Sequence, residues 1–249
     1  MVIHHHPKII LNLAGFEVLT WDLFFILSII LTGALLLYYA KKNKNLNVDT
    51  MFKLHLFSLI LIVIFGWAVP KILDYNMSSL RGILVFCVGM FLFIKWKNIS
   101  FKYLDVYVLF ALIGFAIGRI GCFINWCCFG ILTDLPWGIQ VWDYLPVHPT
   151  QIYEIIFVLI LFGLFFNYRN TSFLKKIGNT SLSIIASYSL FRALIIEPLR
   201  YGIGTEDGFL RITLLLAIFL SAALILALRN DLFTKLKNYI FLIKVKKAV

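Results

Sequence analysis

Seven apolar runs of about twenty residues, set apart by short linkers rich in lysine, leave this chain few ways to fold. A helix rises about 1.5 Å per residue, so a run of that length matches a hydrocarbon layer about 30 Å thick. With 61% hydrophobic residues and a mean hydropathy of +0.93, the chain is far more apolar than a soluble domain. The predicted spans are 20–40, 52–72, 75–94, 103–125, 151–167, 180–197 and 209–228. The expected fold is all-α: one polytopic membrane domain over residues 1–249, with no long soluble domain left over. The first span is too long, and lacks the small-residue cleavage site, for a removed signal peptide. His4, His5 and His6 read as a weak metal binder or as an unimportant tail or trimmed tag.

The net charge of +11 invites a nucleic-acid partner until the charges are placed on the spans. Most of the 23 Lys and Arg fall in alternate linkers: Lys41, Lys42, Lys44 and Lys53; Lys95, Lys97 and Lys102; Arg169, Lys175 and Lys176; then the tail from Arg229 to Lys247. The positive-inside rule makes that side cytoplasmic and puts the amino terminus outside. The basic tail 229–249 then meets anionic lipid on the cytoplasmic leaflet, and no nucleic-acid partner is expected.

The basic residues that remain inside apolar runs carry the functional signal. Arg119 lies roughly 25 Å along its helix from Lys102, just below the outer interface, while Arg81 and Arg192 lie roughly 18–20 Å from the cytoplasmic boundary. An arginine near the bilayer centre costs about 2.5–3.5 kcal/mol, and such residues face a polar cavity or a partner; the alternative is a side chain that snorkels to the headgroups. Three arginines at similar depth point instead to one shared anion. A guanidinium fork suits phosphate, so the sequence implies a phosphate-bearing lipid site where Arg81, Arg119 and Arg192 converge.

Other polar groups cluster around the same depth. Asp22 stands at the outer end of span one beside Trp21, as a boundary acid or a helix cap. Ser79 can donate to a phosphate oxygen, and Gly82 permits close approach. Gly114 and Gly118 have the small-xxx-small spacing of a tight helix contact, and His55 reads as a packed or inter-helix histidine. The segment from Asn125 to Val147, with Gly130, Pro136, Gly138, Pro146 and several Trp, belongs in the headgroup layer. Cys122, Cys127 and Cys128 suggest a metal site or a disulfide, but no fourth ligand has zinc spacing; Cys122 and Cys87 also suit plain packing. No cofactor or metal is expected. Pro149 fits a first helical turn and leaves His148 and Thr150 as interface groups. Gln151 and Glu154, three apart, share a face that is costly to turn toward lipid. Glu197 and Arg200 flank Pro198 at the outer end of span six, free to pair with one another.

These residues resemble the prolipoprotein diacylglyceryl transferase family. Its Gly-Arg, Gly, Phe-x-Asn and closing Gly signature is visible at Gly118, Arg119, Gly121, Phe123, Asn125 and Gly130. Its His-Pro-Ser-Gln-x-Tyr-Glu motif is similar to His148, Pro149, Thr150, Gln151, Tyr153 and Glu154, and its late Arg…Glu-x-x-Arg pattern to Arg192, Glu197 and Arg200. The family histidine is replaced by Arg81 in Ser79-Leu80-Arg81-Gly82, and signature-loop asparagine and glutamate by Cys122 and Cys127. The family tyrosine after the tryptophan opening span one becomes Asp22.

The resemblance implies a bacterial inner-membrane enzyme that moves the diacylglyceryl group of phosphatidylglycerol onto the lipobox cysteine of preprolipoproteins, releasing glycerol phosphate. Its partners would be phosphatidylglycerol, those precursors and membrane lipids. Arg119, with Arg81 or Arg192, would stabilise the phosphate. Glu197, Glu154 or His148 would activate the thiol, and Arg192, Arg200, Ser79, Gly82, Asn125, Gly130, Gln151, Tyr153 and Glu154 would bind substrate. Two alternatives stand beside this: a catalytically silent relative that binds lipid or a lipoprotein precursor, and a small transporter, for which no internal repeat speaks. One geometric expectation is sharp. Arg192 precedes Glu197 by five residues where the family usually has four, which on a regular helix sets them about 140° apart; a one-residue π-bulge before Pro198 would turn both inward.

Overall fold

In a computed structural model the backbone is described for residues 9–13, 16–64, 79–141, 145–202 and 205–229, and the side chains from Trp21 onward except at 63, 79–87 and 206–207. A two-stranded antiparallel hairpin, β1 (Ile9–Leu13) and β2 (Phe16–Leu19), opens the described chain. It departs from the all-helical expectation, because these two short apolar stretches fall below the length that marks a span. Helices follow: α1 (Thr20–Lys42), α2 (Val48–Val63), α3 (Ser79–Trp96), α4 (Phe101–Ile124), α5 (Thr150–Tyr168) and α6 (Asn179–Phe191). A π-helical turn, Arg192–Ile196, joins α6 to the short α7 (Glu197–Tyr201), and α8 (Glu206–Arg229) ends the described residues.

Among the described residues, five segments are long and apolar enough to cross a membrane: Trp21–Lys42, Phe101–Ile124, Thr150–Tyr168, Asn179–Tyr201 and Gly208–Arg229. The chain is thus a multi-pass membrane protein. The predicted span 52–72 begins as α2, but its last eight residues lie outside the described ones; the described part of span 75–94 lies in α3. The basic tail beyond Arg229 also lies outside them.

Helix α4 is the centre of the bundle and packs against α1, α5 and α6. Its buried faces join two apolar clusters. Tyr107 and Phe110 meet Leu36, Met51, Leu54, Met90 and Ile94, while Leu109, Leu112 and Ala116 meet Val158, Leu161 and Ile184. Outside, Ile30, Leu159 and Leu220 are exposed, as a lipid-facing surface requires. Apolar burial does not hold helices together in lipid, so close approach matters more. Gly114 supplies it: a Cβ there would stand 2.2 Å from Thr32 Oγ1 on α1. Gly118 does not share this role, since a Cβ there meets nothing within 4 Å; the second tight contact is Gly121 against Phe24. The spacing that brings α1 onto α4 is therefore seven residues, two helical turns on one face. His55 is buried as expected, with its ring against Gly33 and beside Tyr107.

A polar tie closes the end of the bundle that carries the basic linkers. Asp105 on α4 is buried and accepts the backbone N–H groups of Gly178 (2.5 Å) and Ser181 (2.8 Å), which start α6. Arg229 at the end of α8 donates to the Ile177 carbonyl. Gly178 has φ +86°, a conformation that a side chain would strain. The carboxylate thus satisfies helix-end donors that no intrahelical carbonyl reaches.

At the other end, the described residues between Asn125 and Val147 fold into a cap. Phe129, Val141 and Val147 make a small buried cluster with Phe123, Trp126 and Ile139. Val147 pairs with both Leu132 and Ile139. The cap is fastened to the π-turn region by Ile131 N–H donating to Leu199 O at 2.7 Å. Gly130 is obligatory there, because a Cβ would lie 2.6 Å from that same carbonyl.

Candidate active site

Five polar side chains, from α4, α5, α6, the π-turn and α7, meet under this cap. Glu154 on α5 is fully buried and is the hub. Arg119 reaches it through Nε at 3.0 Å from Oε2 and Nη2 at 3.2 Å from Oε1. Arg200 Nη2 donates to Oε2 at 2.6 Å, Tyr188 Oη to Oε1 at 2.9 Å, and Arg192 Nη1 lies 3.9 Å from Oε1. Phe115 supports the Arg119 guanidinium, 4.9 Å from its ring centroid. Gln151 is on the same buried face as Glu154, as predicted, but its amide donates to the Cys127 carbonyl.

The π-bulge inferred from the five-residue spacing is present. Residues Arg192–Ile196 are π-helical, and the Glu197 N–H donates to the Arg192 carbonyl five residues back. The extra residue is absorbed, so Arg192 and Glu197 both point inward: Nε donates to Oε1 at 2.5 Å, and both residues are fully buried. Pro198 lies just beyond the bulge, where its missing N–H and ring weaken a regular helix. Glu197 Oε2 is buried and has no hydrogen-bond partner among the described residues.

Several expectations change in detail. Arg119 and Arg192 converge, but the third arginine among the described side chains is Arg200, and the anion they share is the chain's own Glu154. Arg81, Ser79 and Gly82 stand in the first turn of α3, with side chains outside the described residues. Glu197 and Arg200 do not pair with one another, because the bulge turns Glu197 toward Arg192 and leaves Arg200 to Glu154. Thr150 is not an interface group: it is fully buried, donates to the Cys128 carbonyl at 2.6 Å and accepts from Arg200 Nε at 2.9 Å. His148 and Tyr153 stay at the rim, 3.2 Å apart, with Trp137 Nε1 donating to Tyr153 Oη at 3.0 Å. Asn125 is buried and ends α4, its N–H donating to Gly121 O. Asp22 lies in the first turn of α1. Tyr188 was not singled out by the sequence, although its position four before Arg192 puts the two on one helix face.

The turn from Cys122 to Cys128 forms the edge of the site. Trp126 (φ 54°) and Cys128 (φ 67°) both take left-handed backbone, which folds the turn back on itself. The three Sγ atoms then all lie within 4.8 Å of one another, and Arg119 Nη1 is 3.9 Å from Cys122 Sγ. Hydrogen bonds with Cys122 and Cys127, and after them the charges of Arg119 and Arg200, hold the Cys128 thiol below its ordinary range against the effect of burial. Cys127 is pushed above its range by its hydrogen bonds with Cys122 and Cys128.

A family model described as prolipoprotein diacylglyceryl transferase matches residues 8–229. Three similar proteins bear the name phosphatidylglycerol–prolipoprotein diacylglyceryl transferase. The one from Desulfotalea psychrophila is 30% identical over 244 residues, spanning 88% of this chain and 89% of its own. That of Thermotoga petrophila is 29% identical over 250 residues, with 88% and 81% covered. That of Finegoldia magna is 28% identical over 233 residues, with 85% and 90% covered.

Proposed function

This chain belongs to the prolipoprotein diacylglyceryl transferase family, and on that footing we propose that it transfers the diacylglyceryl group of phosphatidylglycerol to the lipobox cysteine of preprolipoproteins in the bacterial inner membrane. The observation that carries the reading is the charge count under the cap. Three arginines, Arg119, Arg192 and Arg200, face two carboxylates, Glu154 and Glu197, leaving one positive charge over. A phosphodiester carries one negative charge and supplies that counter-ion. In a partly dehydrated site these guanidinium groups stabilise the phosphate as it leaves with glycerol.

In the transfer the cysteine sulfur forms a bond to the terminal glycerol carbon, the bond from that carbon to the phosphate oxygen breaks, and the thiol proton must go to a base. Glu154 is poorly suited, since each of its oxygens already accepts from an arginine. His148 is engaged at the rim with Tyr153. Glu197 keeps one oxygen unpartnered among the described residues and takes the role of base. Asn125, Gln151 and Gly130 support the site by ending α4, holding the cysteine turn and admitting the cap. The proposed topology has seven spans in a single membrane domain, the amino terminus outside and the basic tail in the cytoplasm.

The test is incubation of purified protein with labelled phosphatidylglycerol and a lipobox peptide. Thioether-linked diacylglyceryl peptide is the expected product, and Glu197→Gln should bind the lipid while losing at least about 100-fold in transfer. Lipid binding by the unaltered protein with no product would overturn the reading in favour of a silent relative.

A further inference from the structure

The turn that edges the site has a property that lipid transfer does not use. Cys122, Cys127 and Cys128 are free, and their three sulfurs lie within 4.8 Å of one another. The geometry points to a trithiolate binding site for a divalent thiophilic metal ion of the zinc and cadmium class. A zinc–sulfur bond of about 2.3 Å sets the sulfurs of a trigonal or tetrahedral centre about 3.8–4.0 Å apart, so closure on a metal needs movements of less than about 1 Å. A disulfide requires two sulfurs at about 2.05 Å and leaves the third thiol over.

The turn holds this arrangement before any ion arrives. Cys127 N–H donates to the Cys122 carbonyl at 3.0 Å, while the Cys127 and Cys128 carbonyls are taken by Gln151 and Thr150. The sulfurs are therefore positioned by backbone anchored to α5, with Cys122 buried and the other two half-buried and open to an entering ion. Charge selects the metal. Arg119 stands 3.9 Å from Cys122 Sγ. Three thiolates with a divalent ion carry one net negative charge and with a monovalent ion such as Cu(I) two, and the smaller charge is the less costly to hold in a half-buried turn. Soft thiolate ligands favour zinc and cadmium over magnesium, calcium or manganese.

The experiment titrates the full chain, purified in detergent and kept reduced, with Cd(II), following the ultraviolet thiolate-to-cadmium charge-transfer band. One ion per chain is expected, displaced by Zn(II) and unaffected by Mg(II). Cys122→Ser, Cys127→Ser and Cys128→Ser should each weaken binding at least tenfold, while Cys87→Ser leaves it intact. In the unaltered protein Zn(II) should protect three thiols from alkylation, a readout that does not depend on any variant folding. Cadmium binding that persists in the triple serine variant, or alkylation of all three thiols at the same rate with and without Zn(II), would overturn the site.

Discussion

Glu154 shows how one carboxylate can decide the state of a whole site. Its two oxygens serve Arg119 and Arg200 at hydrogen-bond distance and a third arginine, Arg192, at 3.9 Å. Removing one partner of a buried ion pair costs about 3–5 kcal/mol, because the charge left behind has no solvent. Glu154→Gln is isosteric yet strands up to three guanidinium groups, so unfolding stability in detergent should fall by at least about that amount, read by thermal or denaturant melting. Tyr188→Phe removes the hydrogen bond to Glu154 and the one accepted from Arg192 Nη1 at 3.4 Å, and should cost about 1–3 kcal/mol in the same assay. The participants Arg119, Arg192, Glu154 and Gln151 were legible because each breaks an apolar run. Their pairing was not: Arg200 and Glu154 lie 46 residues apart, and no local spacing says that a carboxylate of the chain itself is the shared anion. Asp105 carried the same signal, an acid inside an apolar run, and its role depends on a helix start more than 70 positions away.

At the scale of elements, the π-turn Arg192–Ile196 was readable from a count of residues, while the hairpin at the amino terminus was not. A five-residue gap between two charges that must both face inward demands one extra residue in the turn, whatever surrounds it. Short strands give no comparable periodic signal, and a search for apolar runs passes over them. The bulge makes a specific prediction. Leu194 is 57% exposed on the outside of the turn, whereas Ala193 is buried against Leu215. Deleting Leu194 should convert the turn to regular α-helix with Arg192 and Glu197 four apart, still on one face, and lipid transfer should stay within about tenfold of the unaltered chain. Deleting Ala193 gives the same spacing but removes a packed side chain, so its transfer should be lower than that of the Leu194 deletion.

For the whole molecule, the proposed orientation is tested with single cysteines on a background where Cys87, Cys122, Cys127 and Cys128 are serine. Lys44→Cys should react with a membrane-impermeant thiol reagent only from the cytoplasmic side, and Leu135→Cys, in the exposed part of the cap, only from outside. Labelling of both from one side would refute the topology. The tie at Asp105 holds three helices at the end opposite the cap. Asp105→Ala leaves two backbone donors without their carboxylate at about 1–3 kcal/mol each, which should appear as faster proteolysis within residues 169–178 as well as a lower melting temperature. Asp105 and Arg119 stand fourteen residues apart on α4, roughly 21 Å along its axis. Helix α4 is thus pinned to its neighbours near both ends and cannot slide or tilt independently when the bilayer becomes thinner or thicker. Adaptation to mismatch falls to the lipid, which must stretch or compress around an unyielding bundle. Sensitivity to acyl-chain length should therefore reside in the annulus of lipid, and Asp105→Ala, although less stable throughout, should show a flatter dependence of melting temperature on chain length in vesicles.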